Sequence, residues 1–83
     1  MQLSWVDTAR GSALSICEEG RTVSLYPYEL EDLDYAAATT AISLWEGIAG
    51  LRPQGRVAGW RWKRGLNKLR QSIIKEVTAF TTE

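Results

Sequence analysis

Residues 13–26, ALSICEEGRTVSLY, decide the fold. A two-residue turn at Glu19-Gly20 sets Glu18 opposite Arg21, Cys17 opposite Thr22, Ile16 opposite Val23 and Leu14 opposite Leu25. Strand side chains alternate between faces, so Leu14, Ile16, Val23 and Leu25 share one face. Ala13, Ser15, Cys17, Thr22, Ser24 and Tyr26 collect on the other. Glu18 facing Arg21 adds a modest cross-strand pair. Gly at the second turn position suits either a tight turn or a slightly longer bulged loop. Upstream, residues 3–8 (LSWVDT) predict a third strand joined through Arg10-Gly11. Its register stays open, because Leu3 and Trp5 point one way and Val6 the other. Residues 3–26 therefore read as a three-stranded antiparallel meander.

Pro27 ends the strands, since it has no N–H to give a ladder. A helix is predicted over about residues 28–49, opening with Glu29, Glu31, Asp32 and Asp34, which favour the positive end of a helix dipole. Leu30, Leu33, Ala37, Ala41, Leu44, Ile48 and Leu51 fall within an arc of about 80° at helical period. Ala38, Ile42, Trp45 and Ala49 lie beside that arc, so this helix is apolar over more than half its circumference. That width predicts packing against both the sheet and a second helix, and it also offers Ile42, Trp45 and Ala49 as a contact for a second copy of the chain. Gly50 is a candidate C-cap. Residues 52–59 (RPQGRVAG) read as a loop, and a second helix is predicted over about residues 58–80. Its apolar stripe is Trp62, Leu66, Leu69, Ile73, Val77 and Phe80, with Gly65 inside at a cost of about 1 kcal/mol against Ala. The expected architecture is a small α+β domain spanning residues 1–83: a three-stranded antiparallel sheet followed by two antiparallel helices packed on it.

The 83 residues suit one domain, and 45% apolar with 24% charged side chains suits a folded chain. One cysteine, Cys17, cannot form an internal disulfide, which points to a reducing compartment. Asp7 and Arg10 interrupt the N-terminus as a signal peptide, and no run approaches the roughly 20 apolar residues of a membrane helix. A cytoplasmic location without membrane contact is the expectation.

The usual catalytic constellations lack a second member. Without His there is no Ser–His or Cys–His pair and no imidazole metal ligand. A structural zinc site wants four ligands, and the acidic group at residues 29–34 lacks the glycine and spacing of a calcium loop. The glycines match neither GxxxxGK[ST] nor GxGxxG. The chain reads as non-enzymatic, with no metal and no cofactor.

The functional signal lies in how charge is distributed. Ten basic and ten acidic residues sum to zero, but residues 1–50 carry a net −6 and residues 51–83 a net +6. On the second helix, with Trp62 at zero, Arg61, Arg64, Lys68 and Lys75 fall between about 200° and 260°, opposite the apolar stripe. Arg52 and Arg56 add charge in the preceding loop, and Trp60 projects beside the basic face at about 160°. Lys and Arg neutralise phosphates and an indole stacks on a base or anchors an interface, so this face suits a nucleic-acid backbone or an acidic protein surface. A solvated surface helix shows the same stripe, and Glu31, Asp32 or Glu46 could instead pair with Arg61 or Lys68 across a helical hairpin. Trp5, Trp45 and Trp62 read as core. Cys17 reads as a half-buried, inert thiol. In size and in its lack of catalytic residues the chain resembles the small single-domain inhibitors and regulators of phages and mobile elements, anti-CRISPR proteins among them. That resemblance rests on no motif and implies no residue roles, only blockade of a nucleic-acid-binding complex as an alternative function.

Overall fold

The turn at Glu19-Gly20 closes with positive φ at both residues, 51° and 79°, the pattern of a type I′ hairpin turn. The computed structural model describes residues 1–82. Strands β1 (Gln2–Thr8), β2 (Gly11–Glu18) and β3 (Arg21–Leu25) form an antiparallel sheet in the order β1-β2-β3. The β2–β3 register is the one the alternation requires: Leu14 pairs with Leu25, Ile16 with Val23 and Glu18 with Arg21. β1 settles with Leu3 opposite Ile16 and Trp5 opposite Leu14, so Leu3 and Trp5 share the core face and Val6 joins Ala13 on the other. The β1–β2 turn is held by Thr8, whose Oγ1 donates to the Gly11 carbonyl at 2.7 Å and accepts from the Arg10 N–H at 3.1 Å.

The predicted first helix is two helices. α1 (Pro27–Leu30) is a single turn, and α2 (Leu33–Ala49) follows after a break at Glu31-Asp32. The break exists because Asp32 leaves the helix to cap the next one, its Oδ1 accepting from the Tyr35 N–H at 3.3 Å. In α1 the Glu29 carboxylate, from inside the turn, reaches back to accept from the N–H of the N-cap Tyr26 at 3.2 Å. Periodicity alone concealed this, since Leu30 and Leu33 both pack on the core across the break. α3 (Arg56–Thr81) begins two residues before the predicted start.

The helices cover one face of the sheet. Leu14, Ile16 and Leu25 meet Ala36, Ala37, Ala41 and Leu44 of α2 and Ile73 and Val77 of α3 in one buried cluster. Small alanines on α2 let its backbone approach closely, while Leu66, Leu69 and Phe80 close the margins. The stripe predicted for α2 ends early. Ile48 and Leu51 lie past the core and are exposed, at 38% and 77%. Trp5, expected in the core, is not buried. It sits on the core face but on an edge strand, remains 48% exposed, and leans its ring on Phe80 at 6.2 Å.

Between the helices, the Trp45 indole fills the space that a side chain at Gly65 would need. Trp62 ties the same junction, donating from Nε1 to the Gly50 carbonyl at 2.9 Å. That contact satisfies one of the carbonyls left open at the end of α2. The molecule measures 42 × 22 × 18 Å, and α3, at about 1.5 Å per residue over 26 residues, runs its full length. No described helix is long and apolar enough to cross a membrane.

Candidate anion-binding face of the C-terminal helix

α3 forms because its apolar positions recur every three to four residues, and packing Ile73 and Val77 orients everything else on it. Its opposite side is left to solvent. There Trp60, Lys63, Arg64, Asn67, Lys68 and Gln71 line an open groove of about 790 Å³. All its walls come from one helix. An enclosed small-molecule site draws walls from several elements, so this surface suits an extended partner better than a compact ligand.

The structure brings Trp60, Arg64 and Lys68 together in that groove. The indole of Trp60 is 60% exposed, with the Arg64 guanidinium carbon 5.4 Å from its ring centroid. A cation over an exposed ring is worth roughly 0.5–1 kcal/mol, enough to favour one orientation of both side chains. Trp60 is therefore a surface side chain and takes no part in the core. Arg61 and Lys75 are exposed and stand beside the groove rather than in it. Arg56 occupies the first turn of α3, whose N-cap, Gly55, supplies no side-chain hydrogen bond and whose first turn holds no acid. Arg52 folds back so that its guanidinium lies beside Gly59. That places the Arg52 and Arg56 charges at the already positive end of the helix dipole, where an anion would be favoured.

Lys63, which periodicity sets with Arg70 on the flank of the apolar stripe, lines this surface, and so does Asn67, which a count of charge passes over. Lys63 stands at about 100° from Trp62 and Asn67 at about 140°. Asn67 lies more than a right angle from the centre of the apolar stripe, and Lys63 lies on the stripe's flank and closes the near wall of the groove.

No carboxylate of the acidic half forms an ion pair with the face among the described residues. Among the described residues the one ion pair joins the N-terminal amino group to Glu18 at 3.4 Å. Glu31, Asp32 and Glu46 reach none of the α3 cations, and Asp32 is occupied as a cap. The group at residues 29–34 sits where α2 begins. The 17 residues of α2 set that group about 25 Å from the helix's far end. Screening at physiological salt acts over about 8 Å, so those carboxylates contribute little potential at the first turns of α3.

Of the residues offered as a contact for a second copy, Ile42 and Ala49 are exposed, whereas Trp45 is half-buried and spent on Gly65. Cys17 is a free, half-buried thiol on the sheet face that carries no helix. Among the described residues no three His, Cys, Asp or Glu side chains converge to hold a metal ion. No protein-family model, curated protein or solved structure matches the chain.

Proposed function

We propose that this protein is a non-enzymatic binding module whose α3 outer face, with Arg52 and Arg56 at its start, engages an anionic macromolecule, either a nucleic-acid backbone or an acidic protein surface. The observation that carries the reading is the absence, among the described residues, of any carboxylate within ion-pair distance of the α3 cations. No internal counter-charge competes with a partner for these cations among the described residues. An exposed Trp60 beside them supports the same reading, since tryptophan and arginine are the side chains that most often anchor interfaces. A small regulator that blocks a nucleic-acid-binding complex would use this face in the same way, and a cytoplasmic setting fits the single free thiol.

The test is fluorescence anisotropy of the full chain against labelled random-sequence DNA duplexes and labelled polyglutamate. Binding to one of the two is expected at 50 mM salt. Four phosphate contacts would weaken DNA binding by about 100-fold at 200 mM. The double variant Arg64→Glu/Lys68→Glu should abolish binding. Affinity unchanged by that charge reversal would overturn the proposal.

Self-association is a second reading, favoured by the exposure of Ile42 at 44% and of Ala49 on the flank of α2. Light scattering that finds a monomer at millimolar concentration would remove it.

A further inference from the structure

The outer face of α3 carries more order than a cationic surface requires. Measured around the helix from Trp62, Asn67, Trp60, Gln71 and Arg64 form a central row at about 140° to 200°. Lys63 stands on one side of that row at about 100°, and Lys75, Lys68 and Arg61 on the other at about 220–260°. The row is thus flanked by cations on both sides and contains two carboxamides and a guanidinium in consecutive turns. Asn67, Gln71 and Arg64 are all exposed, and among the described residues no side-chain hydrogen bond ties down their polar heads.

We propose that α3 is a reading helix that enters the major groove of duplex DNA, with Asn67 and Gln71 contacting base edges and the flanking lysines and arginines holding the phosphates on either side. This rests on the anion-binding reading of the same face and narrows it to one partner. Three features favour duplex DNA. A helix of about 10–12 Å diameter fits a groove about 12 Å wide. Asn and Gln each offer a donor and an acceptor, the pair that matches the N6 and N7 edge of adenine, while Arg matches the O6 and N7 edge of guanine. An acidic protein surface would need cations and apolar anchors here, not carboxamides at the centre, and Trp60 is the row's one apolar side chain. The A-form groove of duplex RNA is too deep and narrow for side chains to read. The span from Trp60 to Gln71, about 16 Å along the axis, covers about five base pairs.

The experiment is selection by the full chain from a duplex DNA pool with a ten-base-pair random core, in the presence of poly(dI-dC), followed by sequencing. A short preference of about four or five base pairs, containing at least one adenine position, is expected. Asn67→Ala and Gln71→Ala should each erase the preference at one position, a loss of about tenfold or more in discrimination. Against the unselected pool each should lose less affinity than Lys63→Ala or Lys68→Ala, since neither holds a phosphate. Lys63→Ala and Lys68→Ala should weaken binding to every sequence alike and reduce the salt slope by about 0.9 each.

Salt-dependent binding to the pool with no enriched sequence would overturn the groove-reading inference and leave the anion-binding proposal standing. Binding to polyglutamate and not to the pool would do the same and assign the face to an acidic protein. Equal affinity for a matched RNA duplex would also overturn it. Binding to neither polymer would remove both proposals.

Discussion

The indole of Trp45 stands in the space where a Cβ at Gly65 would be, so α2 and α3 meet through the largest side chain and the smallest. Gly65→Ala gains about 1 kcal/mol of helix propensity but forces Trp45 aside, and overpacking of this kind costs roughly 1–3 kcal/mol. Because the clash is with the rigid ring system rather than a flexible chain end, packing should win. A fall in Tm is expected, at about 4–8 °C for each kcal/mol lost in a chain of this size. A rise in Tm on thermal denaturation would show that the helices can part at no cost.

Trp62 and Trp60 are two positions apart in sequence but separable by measurement. Trp62→Phe removes the donor to the Gly50 carbonyl and should cost about 1 kcal/mol of stability. Trp60→Ala removes an exposed ring and should leave Tm nearly unchanged while weakening partner binding by about 2 kcal/mol or more. Finding the two effects exchanged would reverse their assignment.

Glu19 holds a φ of 51°, a region that costs an ordinary L-residue roughly 1 kcal/mol. Glu19→Asn turns the hairpin loop into Asn-Gly, the preferred type I′ pair, and should raise stability by about 0.5–1 kcal/mol. A shift of the urea midpoint to higher concentration at constant slope is the result to look for.

Asp32→Ala removes the N-cap of α2 and should destabilise the protein by about 1 kcal/mol. Asp34→Ala, in the first turn but capping nothing, should cost a few tenths. Equal losses in both variants, read by chemical denaturation, would mean that general charge on the helix end matters and the specific hydrogen bond does not.

The hairpin was legible because a glycine after Glu19 and strict alternation on both sides fix the register together. β1 was not, since LSWVDT places large apolar groups on both faces, and pairing with β2 decides between them. The break at Glu31-Asp32 was hidden by leucines that remain in phase across it. Acidic residues at a helix start signal charge favouring a dipole, whereas Asp32 and Glu29 act through single hydrogen bonds. Trp5 misled because alternation gives the face of a strand and says nothing of its place at the sheet edge. On α3 the apolar stripe fixed the opposite face, so the Trp60, Arg64 and Lys68 grouping followed from periodicity. Periodicity places Lys63 beside the apolar stripe and does not show that it lines the groove, and Asn67 is neutral, so charge patterning gives no sign of it.

The distance of about 25 Å between the carboxylates at the start of α2 and the arginines before α3 would also bear on how fast the proposed anionic partner is found. A polyanion repels the end bearing Glu29, Glu31, Asp32 and Asp34 and attracts the end bearing Arg52 and Arg56, so its field turns the approaching protein before contact. Random tumbling wastes most encounters between two specific patches, and a torque of this kind recovers many of them. The association rate should therefore fall with added salt more steeply than the dissociation rate rises. A protein of zero net charge would in this way gain the speed usually ascribed to strongly basic ones, without their tendency to adhere to every acidic surface they meet.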